Sequence, residues 1–186
     1  MKESIADARE VQERARKHIE SGAVTDEYKA DRAEVVRILN EILATELICM
    51  LRYKSHYYLA SGIQSDAVKR EFLQHAREAE QHAEMVAQRI VQLNGAPNFN
   101  PAGLETRSRA RFSNPSTLTE MIKEDLIAER IAIETYSEFV RWLGDDDITT
   151  RKLMEDILTV ESEHAEDMKH LLLRVATATE KKGAQR

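Results

Sequence analysis

Five residues occupy positions where an apolar helix face has no use for them. Glu46 falls between Leu39, Ile42, Leu43 and Met50, Tyr53, and Glu129 falls between Ile122, Leu126 and Ile133, Tyr136. Glu161 and His164 interrupt the run from Ile157 to Met168, and His82 lies between Ala79 and Val86. An isolated carboxylate is costly to bury, so several aimed at one core require a compensating cation. Glu161-Ser162-Glu163-His164 is a Glu-x-x-His motif that puts both side chains on one helix face. Carboxylates and imidazoles without thiolates suit iron or manganese.

The same residues form an internal repeat. Tyr53 follows Glu46 by seven positions, and Tyr136 follows Glu129 by seven. His82-Ala83-Glu84 recurs as His164-Ala165-Glu166, and the Glu-to-His separations are 36 and 35 residues. Two such helix pairs about a pseudo-twofold axis bring both sets of ligands to the middle of one bundle.

The elements that position them are legible in the breakers. Only 6 glycines and 3 prolines occur among 186 residues, and all three prolines fall in the link between Asn94 and Pro115. Neither residue type interrupts 23–61, 63–94, 116–143 or 145–182, which predicts long helices near 32–60, 66–93, 117–143 and 148–177. Each carries apolar residues at spacings of three and four. Ser65-Asp66, Ser116-Thr117 and Asp147 are N-cap candidates. The short first and third links make two antiparallel hairpins. The long second link is the crossover needed to join two parallel helices. Residues 1–30 read as an N-terminal extension with a weak helix (Ile5, Ala8, Val11, Ala15, Ile19), 31–177 as the bundle, and 178–186 as a polar tail.

Composition narrows the function. The net charge of −6 argues against a nucleic-acid surface, and the alternating charges around Arg9, Arg14, Arg16 and Lys17 argue against a basic arm. A single cysteine, Cys49, excludes disulfide frameworks and reads as a small buried residue. No apolar run approaches the roughly 18 residues of a membrane span. A charged stretch follows Met1 in place of a signal-peptide core, so a cytoplasmic protein is expected.

With these residues in place, the chain resembles the ferritin-like superfamily, nearest to bacterioferritin-type ferroxidases. The motifs that carry the resemblance are Leu39-Asn40…Ala44-Thr45-Glu46-Leu47…Tyr53…His56, Asp125-Leu126-Ile127-Ala128-Glu129 and Glu161-Ser162-Glu163-His164. The resemblance implies an all-α four-helix bundle that binds iron. Glu46 and His82 would hold one metal, Glu129 and His164 the other, and Glu161 would bridge them, with Tyr53 beside the site as hydrogen-bond donor or redox neighbour. It implies Fe(II) oxidation by O2 or peroxide for storage or detoxification, in a homo-oligomer built from dimers. Tyr57, Tyr58, Phe99 and Phe112 are candidates for its contact surface. The alternatives are a rubrerythrin-like di-metal peroxidase or oxidase, and a non-catalytic shell or DNA-protecting protein with a degenerate site.

Two departures stand out. The second bridging Glu expected three residues before His82 is Ala79, with Glu78 as the nearest substitute and Glu80 directed away. The haem-ligating Met of bacterioferritins is replaced by Glu80, so no haem is predicted by that route. His75 reads as an outer neighbour of the site or an interface group, and His56 and His170 as surface or interface residues. Tyr136 reads as core packing with a hydroxyl partner, and Arg107, Arg109 and Arg111 as a solvated or interface stretch.

Overall fold

The structure is a computed structural model that describes residues 6–62 and 65–183, with side chains as far as Val175. Its described residues form helices and no strands: α1 (Ala8–Arg14), a 3-10 turn (Ile19–Ser21), α2 (Arg32–Leu59), α3 (Ser65–Gln92), α4 (Leu104–Arg107), α5 (Leu118–Leu143) and α6 (Ile148–Gly183). The four long helices match the predicted spans closely, except that α6 runs on to Gly183, past the expected end at 177. At 28 residues, α2 and α3 are each about 42 Å long. None of the helices is long and apolar enough to cross a membrane.

Caps set the helix starts. Asp31 accepts from Ala33 and Glu34 at the head of α2, and Thr117 accepts from Glu120 at the head of α5. At the head of α6, Asp147 accepts from the Thr150 backbone N–H at 2.8 Å. Helix α2 packs on α3 and α5 on α6, and the hairpins meet through α2–α5 and α3–α6. Cross-contacts pair 46 with 136 and 53 with 129, so α2 and α5 are antiparallel. One apolar cluster (Leu39, Ile42, Leu43, Val86, Ile90, Tyr136, Phe139, Met154, Ile157) fills one half of the bundle. Another (Tyr53, Phe72, Ala76, Met121, Ile122, Met168) fills the other. The polar cluster lies between them.

The crossover returns along α2 and is pinned to it in order. Asn40 meets the carbonyl of Ala96 and the amide of Asn98, Thr45 takes the amide of Arg109, and Arg52 donates to the carbonyl of Arg111. Ser55 donates to Asn114. Arg107 donates to the carbonyls of Ala102, Asn98 and Asn100, and Arg109 pairs with Glu41. These two arginines therefore hold the crossover together.

The N-terminal extension departs from expectation. Its helix is seven residues long and buries none of them, and Val11 and Ile19 are exposed. His18 adopts the left-handed conformation (φ 49°), which breaks the helical path before Ile19. Ile5 lies outside the described residues. What docks instead is the following segment. Tyr28 donates to Asp147 at 2.9 Å, and Asp147 is also held by the buried Arg89 of α3 at 2.9 Å.

Burial opposes the charge on Asp147, but hydrogen bonds from Thr150 and Tyr28 and the Arg89 charge hold its carboxyl below the usual range. A depressed folded pKa adds stability that is present above the ordinary carboxylate range and is lost as pH falls through the folded value. Asp147→Asn leaves the Arg89 guanidinium buried and unpaired, so urea unfolding is expected to show a loss of about 3 kcal/mol. A loss below about 0.5 kcal/mol would show that this pin contributes nothing.

Candidate metal centre

Helices at fixed depth bring five polar side chains together at mid-bundle. Glu46 comes from α2, His82 from α3, Glu129 from α5, and Glu161 and His164 from one face of α6; all are buried. They fall into two groups that share Glu161. One is Glu46, His82 and Glu161, and the other is Glu129, Glu161 and His164. His82 Nδ1 lies 2.8 Å from Glu161 Oε1 and 3.5 Å from Glu46 Oε2. His164 Nδ1 lies 3.5 Å from Glu161 Oε2 and 3.9 Å from Glu129 Oε2. Glu161 thus faces the two imidazoles with different oxygens.

These approaches are ion pairs that lack hydrogen-bond geometry. His82 Nδ1, Glu129 Oε2 and Glu161 Oε1 are buried without a hydrogen-bond partner among the described residues. Unpaired buried polar atoms are rare because each one forfeits its hydration. Several converging on one point have the donor chemistry of a cation site. Oxygen and imidazole ligands suit Fe(II) or Mn(II). Cys49 belongs to neither group, and burial pushes its thiol pKa up, away from a metal-binding thiolate.

Electrostatics set the competition between protons and cation. Burial and the neighbouring Glu161 charge raise the pKa of both Glu46 and Glu129. Burial also opposes charge on Glu161, but Glu129, His164 and His82 beside it hold its carboxyl well below the usual range. Burial disfavours a charged His82, yet Glu161 and Glu46 outweigh it and push the pKa up to about 10. His164 is raised in the same way, by Glu161 and Glu78 against burial.

A second ring of contacts orients these groups. The Tyr53 hydroxyl of α2 donates to Glu129 Oε1 of α5, and the Tyr136 hydroxyl of α5 donates to Glu46 Oε1 of α2. Burial, with the adjacent carboxylates, raises both phenol pKa values well above the ordinary one, so both hydroxyls keep their protons. Tyr136 is core packing with a hydroxyl partner, as expected, and because that partner is Glu46 the two tyrosines hold equivalent positions in the two halves.

Ala79 is buried where the repeat calls for a carboxylate. Glu78 does not take that place: its Oε2 lies 2.7 Å from His164 Nε2, the ring nitrogen remote from Glu161. It orients the imidazole from behind, as carboxylates beside metal-bound histidines do. Glu80 is exposed and pairs with Lys54 at 3.3 Å. His75 stacks on His164 with centroids 3.9 Å apart, and burial and His164 lower its pKa to about 3.

His56 corrects the reading as a surface group, because it is fully buried; His170 is exposed. His56 Nδ1 meets Asp125 Oδ2 at 2.8 Å and Nε2 meets the Ser113 carbonyl at 2.9 Å, while Arg52 Nε donates to Asp125 Oδ1 at 2.8 Å. This buried network ties α2, α5 and the crossover together beside Glu129. The one sequence clue was Asp125, four residues before Glu129 on the same helix face.

Residues 36–177 match the ferritin-like domain family. The chain is 26% identical over 134 residues to a bacterioferritin of Desulfovibrio desulfuricans, covering 72% of this chain and 71% of that protein. It is 29% identical over 136 residues to a bacterioferritin of Mycobacterium avium, covering 70% and 79%. Among solved structures it resembles a dodecameric thioferritin, the bacterioferritin-related protein of Bacteroides fragilis. The TM-score is 0.78 and the identity 28%, over 82% of this chain and 92% of that one.

Because His82 holds its proton to about pH 10, a cation binding at Nδ1 has to displace it. Adding Mn(II) at pH 7 is expected to release protons into weakly buffered solution, and affinity is expected to rise with pH across the neutral range. Binding that is pH-independent and releases no proton would remove His82 from the site. Glu78→Gln is expected to weaken one of the binding steps by about tenfold or more, measured by calorimetry.

Proposed function

The chain belongs to the ferritin-like family, and we propose that it binds two Fe(II) ions at the mid-bundle cluster and oxidises them with O2 or peroxide. The observation that carries this reading is Glu161, a buried carboxylate whose two oxygens face two different histidines in two three-residue groups. Glu46 and His82 hold one ion, Glu129 and His164 the other, and Glu161 bridges them. Four carboxylates and two imidazoles alternate around one point in related di-metal bundles; here Ala79 stands in place of one carboxylate. Iron is the substrate. Two Fe(II) ions supply the two electrons that reduce O2 to hydrogen peroxide, or hydrogen peroxide to water.

Each residue has a separable task. The carboxylates offset cationic charge that rises on oxidation, and with three ligand groups to each ion, room remains for the oxidant. Tyr53 and Tyr136 donate to the outer oxygens of Glu129 and Glu46 and so fix which oxygen faces the metal. Tyr53 is thus a positioning residue. Glu78 holds His164 in the tautomer that leaves Nδ1 free. Manganese fits the same donors, and Fe(II) is favoured by the family and by the likeness to bacterioferritins.

The product belongs in a shell. The similar protein of Bacteroides fragilis is dodecameric, and this chain exposes Tyr58 at 79%, with Phe99, Phe112 and Trp142 also exposed. We assign these aromatics to contacts between copies in a homo-oligomer built from dimers, serving iron storage or detoxification. Sedimentation is expected to give a multiple of 21.3 kDa at micromolar concentration. A single-chain mass would contradict the assembly.

Glu161→Ala is expected to abolish paired loading and reduce Fe(II) oxidation to the rate in buffer, followed optically. Two metals per chain and parental oxidation in that variant would overturn the reading. With one bridge missing and Glu78 supporting only His164, loading is expected in two unequal steps, the tighter at His164. Ala79→Glu supplies a second bridge and is expected to strengthen the weaker step about tenfold.

A further inference from the structure

Outside the five-residue cluster, one more group of potential ligands meets the surface. Glu71 and His75 of α3 and Asp167 of α6 can bring one ligand atom each within 4.8 Å of one another. A cluster of this kind on a helical surface is common and means little without a second observation. His75 supplies it. The residue is fully buried, and its Nε2 is hydrogen-bonded to nothing among the described residues. That atom faces Asp167 Oδ2 at 3.6 Å.

Hydrogen-bond accounting shows which atom carries the lone pair. Tyr53 has one proton, and it goes to Glu129 Oε1. The Tyr53 oxygen can then only accept from His75 Nδ1, 3.2 Å away. A neutral imidazole that donates from Nδ1 presents a bare lone pair at Nε2. His75 therefore aims an acceptor at two carboxylates that are also acceptors. No donor among the described residues resolves that arrangement, whereas a divalent cation does.

The geometry points to a third divalent-cation site, formed by His75 Nε2 with the carboxylates of Glu71 and Asp167, on the outer side of His164. Its ligands are one nitrogen and two oxygens, which selects a first-row divalent metal over magnesium or calcium. The site is open where the dinuclear centre is closed, because Glu71 is half-buried and Asp167 is exposed. The imidazole that would hold the outer cation stacks on His164 with centroids 3.9 Å apart, and a Glu78 oxygen lies within 4.8 Å of a nitrogen of each ring. Carboxylates and imidazoles thus run without a gap from solvent to the dinuclear centre. The outer site is a loading station on that path, a role that rests on the proposed Fe(II) oxidation; the cation site itself does not.

Anomalous diffraction from crystals of the full chain soaked in Co(II) separates the two ideas. The parent is expected to show two peaks at the Glu161 cluster and a third among Glu71, His75 and Asp167. The Glu71→Gln/Asp167→Asn double variant keeps His75, Tyr53 and the five inner residues. It is expected to lose the third peak and retain the pair. In solution it is expected to oxidise limiting Fe(II) several-fold more slowly, and saturating Fe(II) at the parental rate. A filled inner pair with no third peak in the parent would overturn this inference, as would a third peak that survives in the variant. An outer peak with an empty inner pair would support the cation site and overturn the dinuclear reading. Unchanged rates at limiting Fe(II) would overturn the loading role.

Discussion

Three carboxylates buried against one another, with Tyr53 and Tyr136 as donors to the outer oxygens of two of them, are the constraint around which this bundle is organised. Glu161 is kept ionised by its neighbours, and that ionisation in turn raises the pKa of Glu46 and Glu129 and draws protons onto His82 and His164. An apolar core of the same volume would be more stable. The apolar clusters above and below the site and the buried pairs at Arg52–Asp125 and Arg89–Asp147 keep the helices in register against that strain. The strain makes sense as preorganisation for the proposed metal pair, whose ligand atoms already stand together.

The pseudo-twofold symmetry explains much of the layout and locates where it fails. Tyr53 supports Glu129 and Tyr136 supports Glu46, a reciprocal exchange between antiparallel helices. The α3 and α6 halves differ. Helix α6 carries Glu161 three residues before its histidine, whereas α3 carries Ala79. The carboxylate that the repeat calls for at position 79 has no replacement there, and Glu78 reinforces the opposite half by binding His164 from behind. The asymmetry of charge and the asymmetry of support therefore fall on the same side.

The helices, the crossover and the five clustered side chains were legible because all depend on periodicity: apolar spacing, breakers between segments, and polar residues in apolar stripes. Three features were not. His56 shares its helix with the predicted ligands, yet its partners lie 57 and 69 residues away, one of them a carbonyl of an irregular crossover with no sequence signature. Glu78 had the right position to reach the core, but helical angle alone could not show that the imidazole of His164 would occupy that direction. The N-terminal stripe had helical spacing without a surface to bury against, and spacing alone does not hold a helix. What the periodicity missed are pairings between distant elements, which exist only once the fold has placed both partners.

Thermal unfolding of the purified chain under argon, with increasing Fe(II), tests most directly whether this cluster is built for cations. A ligand that binds only the folded chain stabilises it by about 1.4 kcal/mol for each tenfold rise in free concentration above its dissociation constant, per site. The midpoint is expected to climb continuously with Fe(II), and more steeply once both positions are engaged. A midpoint unmoved by Fe(II) would show that the buried carboxylates are a protein-internal network, and the central claim would fall.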